Sequence, residues 1–137
     1  MNFSVPIIPL VIGALLNMGL GALWYSNVLF AKVWMKEAKI TSEQIEGSQD
    51  DMGKVYGLTM LTAVLTSYVL GLLVVNIGLG SIADALIFAL VLWIGTHSPT
   101  IVKRWGFEGD SIKLGLINHG YDFVVYLIVC GLYALFI

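Results

Sequence analysis

Residues 114–137 read LGLINHGYDFVVYLIVCGLYALFI, a run of 24 residues in which Asp122 is the one formally charged side chain. A helix needs about 20 mostly apolar residues to cross a bilayer, and this stretch is long enough. Inside lipid the backbone N–H and C=O groups have no water to bond, so the run must satisfy them internally as a helix. Three more runs of the same kind precede it, at roughly 6–30, 55–77 and 82–102. None shows the ten-residue alternation of a membrane barrel. The sequence therefore predicts an all-α membrane protein, a single transmembrane domain of four helices joined by loops at 31–54, 78–80 and 103–113.

Composition agrees. Of 137 residues, 58% are hydrophobic and 12% charged, and the mean hydropathy is +0.90. Soluble domains carry about 25% charged residues, so this chain needs a lipid bilayer as partner. A net charge of −2 supplies no basic field for nucleic acid. The single cysteine, Cys130, excludes an internal disulfide and a cysteine-cluster metal site; in its apolar run it reads as a small packed or lipid-facing side chain.

The basic residues set an orientation. Lys32, Lys36, Lys39 and Lys54 lie between the first and second runs, and Lys103, Arg104 and Lys113 between the third and fourth; these are all seven in the chain. The tails and the Gly78-Leu79-Gly80 turn have none. Basic loops mark the cytoplasmic side, so loops 31–54 and 103–113 are expected there, with both termini outside, in the cell (inner) membrane. Trp24, Tyr25, Trp34, Tyr56 and Trp105 fall near the same interface, where amphipathic rings are favoured, and Tyr133 and Phe136 near the other. The first run is too long for a signal-peptide core and has no basic residue before it, so it is expected to stay in the mature protein. In the first loop Thr41-Ser42-Glu43-Gln44 reads as a capping box, Ser48 with Asp51 as a second, and Ser81 with Asp84 as another at the start of the third run.

Several of these residues resemble a family pattern. Gly21-Ala22-Leu23-Trp24-Tyr25-Ser26, followed by Leu29-Phe30, Lys32 and Trp34, is similar to the signature of the family termed domain of unknown function 1761. Phe107-Glu108-Gly109 and Asn118-His119-Gly120-Tyr121 resemble its third loop and fourth helix. The chain departs from the pattern at Asn27, where the family usually has proline. The resemblance implies a four-helix membrane protein and no particular activity. Separately, Tyr25-Ser26-Asn27 before Lys32 and His97-Ser98-Pro99 before Lys103 permit a parallel two-helix repeat about an axis along the membrane normal.

Polar side chains inside a membrane are expensive and usually face the protein interior. At 100° per residue, Asn118, Asp122, Tyr133, Tyr126 and His119 fall within one arc of about 100° on the fourth run, with Tyr121 outside it. His119 and Asp122, at i,i+3, are close enough to interact. Pro99 denies Gly95 its helical hydrogen bond, and His97, just before it, is expected at a depth similar to His119. Candidate site residues are therefore His97, His119, Asp122, Asn118, Tyr121, Tyr126 and Tyr25. On the first run Gly13, Asn17 and Gly21 stand at i, i+4, i+8. Small residues permit close helix approach, so these three read as a packing seam.

Two functions follow. One is a transporter or channel-like protein for protons, a cation or a small solute, working through the His and Asp groups. The other is a structural or accessory membrane subunit in which the polar stripe only fixes helix packing. Two histidines and an aspartate also suit a metal, but no tight motif such as His-x-x-x-His supports one, so no metal or cofactor is expected. A third reading, a small intramembrane enzyme acting on a lipid, stays open, but no nucleophile–base–orienter set stands out to support it. Four short helices enclose little space, so a homo-oligomer is expected.

Overall fold

Each apolar run forms a helix because only intrahelical bonding satisfies its backbone in lipid. The computed structural model describes residues 1–47 and 52–137. Among the described residues four helices, α1 (Ile7–Trp24), α4 (Met52–Ile77), α5 (Ile82–Phe107) and α6 (Ile112–Ala134), are long and apolar enough to cross a membrane. Two short helices, α2 (Ala31–Glu37) and α3 (Ser42–Gly47), occupy the loop between α1 and α4. No strand occurs among the described residues.

Helix ends differ from the apolar boundaries for local reasons. α1 stops at Trp24, well before residue 30, and the chain turns; the Ser26 hydroxyl donates to the Leu23 carbonyl at 2.6 Å and the Phe30 N–H to the Trp24 carbonyl at 3.1 Å. α5 runs past residue 102 to Phe107, and Gly109, at φ +77°, lets the Asp110 N–H reach back to the Arg104 carbonyl at 3.1 Å, a left-handed closure that glycine adopts without strain. Thr41 and Gln44 exchange backbone and side-chain bonds at 2.9 and 3.2 Å to cap α3. Ser81 caps α5, accepting from the Asp84 N–H at 3.5 Å, and Ser111 caps α6, accepting from Leu114 at 3.0 Å. The box at Ser48 and Asp51 lies outside the described residues.

α6 is the hub. It packs against α5, α1 and α4, while α1 also packs on α4. The tight part of the bundle lies toward the termini, where Leu70 and Val74 of α4, Ala85 and Ala89 of α5, and Val125, Val129, Cys130 and Tyr133 of α6 form the core. Small residues let these backbones approach, as membrane helices require. Gly71 faces the ring of the fully buried Tyr133, and Gly13 faces Ser67. Tyr133 is thus a core residue rather than an interfacial one, because Gly71 leaves a slot for its ring. The N-terminal segment is tied to α4 by Asn2 and Asn76, which exchange bonds at 2.7 and 2.8 Å, and by the Tyr68 hydroxyl donating to the Phe3 carbonyl at 2.9 Å. Toward the end that carries the basic loops the bundle opens, and residues 53–62 of α4 are all exposed. The Pro99 site sits inside an unbroken α5, where the Ser98 hydroxyl bonds the Ile94 carbonyl at 2.5 Å.

Candidate functional site: a histidine–aspartate cluster between α5 and α6

Asp122 is ten residues from the start of α6 and His97 ten from the end of α5. At 1.5 Å per residue His97 lies about 9 Å before Lys103 and Asp122 about 14 Å beyond Lys113, so both fall inside the apolar spans toward the basic end. There the side chains meet. His97 Nδ1 and His119 Nδ1 are 2.7 Å apart, a spacing that lets one ring donate to the other. Asp122 Oδ2 is 3.6 Å from His97 Nδ1 and 3.9 Å from His119 Nδ1. The other nitrogen of His97, Nε2, is 3.2 Å from the Tyr126 hydroxyl. Side-chain exposure is 15% for His97, 18% for His119 and 38% for Asp122, so the carboxylate has an open side and the imidazoles do not.

Trp93 holds this cluster and was not among the sequence candidates. Its indole N–H donates to the His119 backbone carbonyl at 2.7 Å, and its ring lies nearly parallel to that of His97, centroids 6.1 Å apart. The signal was available: an indole in a membrane span needs an acceptor for its N–H, and Trp93 is one helical turn before His97.

The remaining candidates form a second group, between α1 and α6. The Tyr25 hydroxyl donates to Asn118 Oδ1 at 2.9 Å. The Tyr121 hydroxyl donates to the Asn17 backbone carbonyl at 2.7 Å and also bonds the Asn17 side chain. Gly21 faces that same hydroxyl. Trp24 Nε1–H donates to the Ile117 carbonyl at 2.9 Å. Gly13, Asn17 and Gly21 thus lie along the contacts that α1 makes with α4 and α6. Tyr25, Asn118 and Tyr121 sit on the α1 side of α6, whereas His119, Asp122 and Tyr126 meet α5. Asn118 links the groups, being one turn from Asp122.

A polar cavity of about 330 Å³ opens at the basic end. Trp34, Glu37 and Lys39 line one side, Arg104, Glu108 and Asp110 the other, and Asn118 its membrane end. Arg104 is held at the rim by Asp110 at 2.7 Å and Glu108 at 3.2 Å. Chemically, two imidazoles and a carboxylate at these separations suit passing a proton or holding a cation. Among the described residues, His97, His119 and Asp122 form the group able to grip a metal, with one ligand atom from each lying within 4.8 Å of the others.

No curated protein and no solved structure matches the chain. The model of one family matches residues 8–134, nearly the whole length. Its four helices suit a bilayer, and the chain belongs to the family described as protein of unknown function DUF1761.

Proposed function

We propose that this chain is a small multi-pass transport protein, carrier or channel-like, that moves protons, a cation or a small solute by way of His97, His119 and Asp122. One observation carries the reading: three ionisable side chains from two helices lie within 4 Å of one another inside helices apolar enough to cross a membrane. Ionisable groups are costly inside a membrane, and where they persist they mark ion or proton pathways. The cavity at the basic end reaches Asn118, one helical turn from Asp122. The seven basic residues put that end in the cytoplasm by the positive-inside rule, with the termini outside, and the inner membrane follows from the same reading. The half-open face of Asp122 supports a homo-oligomer, because a second copy or trapped water must cover a carboxylate at this depth. The hairpins α1–α4 and α5–α6 are the units of the proposed parallel repeat, with Tyr25 and His97 toward the same end. Purified protein in liposomes, assayed across pH gradients, metal ions and common solutes, tests the reading. Flux that is lost in Asp122→Asn and His119→Gln supports it. Absence of any flux, or variants equal to wild type, sinks it.

A second reading, an accessory or structural subunit, is favoured by the α1–α6 contacts, where Tyr121, Asn17 and Trp24 make helix–helix bonds with no charged group. It expects the same His and Asp variants to change oligomer stability alone, with a partner protein co-purifying.

A further inference from the structure

We propose that His97, His119 and Asp122 bind a divalent first-row transition metal ion, Zn²⁺ in character, and that this ion is the cargo; the cargo role rests on the transport reading, whereas binding does not. The same three atoms carry all three separations: Nδ1 to Nδ1 at 2.7 Å, and Oδ2 to each Nδ1 at 3.6 and 3.9 Å. The circle through the corners of a triangle with those sides has a radius of about 2.0 Å, which is the bond length of zinc to imidazole nitrogen and to carboxylate oxygen. An ion at that centre reaches all three ligands at once. Tetrahedral spacing of about 3.3 Å then requires the two imidazoles to part by about 0.6 Å.

The surroundings match what such ligands need. A metal-bound imidazole usually engages its second nitrogen with a neighbour that fixes its tautomer, and Tyr126 stands at His97 Nε2. Trp93 holds the backbone of His119 and faces the ring of His97. Two nitrogens and one oxygen favour zinc and its neighbours; calcium takes six to eight oxygens, and magnesium also relies on oxygen ligands. Three protein ligands leave a fourth position open, and the exposed side of Asp122 gives it room. Spacing along the chain does not reveal the grouping, because one ligand comes from α5 and two from α6.

Tag-free protein in detergent, titrated with Co²⁺ and then Zn²⁺, tests the site. The expected result is visible Co²⁺ bands typical of imidazole coordination, bleached by one Zn²⁺ per chain. Asp122→Asn and His119→Gln should weaken Zn²⁺ binding at least tenfold, and Tyr126→Phe, which removes a positioning hydroxyl, by about tenfold. Absence of saturable Zn²⁺ binding, or affinity unchanged in the folded ligand variants, overturns the proposal. The wild-type Co²⁺ spectrum decides even where a variant does not fold. Zn²⁺ binding without any flux rejects the transport reading and keeps the site; proton or solute flux in a protein that binds no metal does the reverse.

Discussion

Replacing Gly71 with alanine adds one methyl group, and it has nowhere to go. A Cβ at that position would stand 2.3 Å from Tyr133 Cζ, 2.5 Å from Cε1 and 2.6 Å from the hydroxyl oxygen, whereas carbon atoms in contact rest about 3.5–4.0 Å apart. The ring cannot swing aside, because Tyr133 is fully buried. Overpacking of this kind costs about 1–3 kcal/mol, and the missing slack puts Gly71→Ala at the upper end. Removing a glycine from a helix returns about 0.5–1 kcal/mol, leaving a net loss of about 2 kcal/mol. Gly57, in the same helix, supplies the control: nothing lies within 4 Å of its Cβ position, so Gly57→Ala should gain about 0.5–1 kcal/mol. Reversible unfolding in mixed detergent micelles reads both. The reasoning fails if the two variants have equal stability, because the slot that seats α6 on α4 would then not exist.

Tyr121→Phe removes the hydroxyl that bonds Asn17 and should cost about 0.6 kcal/mol, the mean for hydrogen bonds between membrane helices; a double-mutant cycle with Asn17→Ala should show coupling, and strict additivity would refute the pairing. Trp93→Phe takes away the donor to the His119 carbonyl and should destabilise by about 1 kcal/mol in the same unfolding assay, while Trp105→Phe, at an exposed position, should not. A membrane-impermeant maleimide applied to intact cells should label Gly80→Cys and spare Lys39→Cys; the reverse pattern would invert the orientation.

Much of the fold is legible in the sequence because the bilayer imposes it. Four apolar runs of sufficient length have one way to satisfy their backbones, so helix number and type follow directly. The ends were less legible. α1 closes at Trp24 through side-chain and turn bonds, and α5 continues to the closure at Gly109, neither of which hydropathy senses. For the site, the arc on α6 gives a direction but not a neighbour. Asn118, Asp122 and Tyr133 share that arc, yet Asn118 meets Tyr25 of α1, Asp122 lies by His97 of α5, and Tyr133 fills the slot at Gly71 of α4. Which helix stands at each level of α6 depends on how three helices pack around one, and that information is spread over the small residues of all four. Gly71 carries no charge and no motif, so its role emerges only with its partner Tyr133.

The proposed function divides the polar residues into a transport cluster at α5–α6 and a packing seam at α1–α6. Flux in proteoliposomes, compared between Asp122→Asn with His119→Gln on one side and Tyr121→Phe with Asn17→Ala on the other, tests that division directly. Under the proposed function the first pair abolishes flux with the fold intact, and the second pair lowers stability while each folded molecule keeps its flux. Equal loss in both pairs, or wild-type flux without the Asp122 carboxylate and the His119 imidazole, would contradict it.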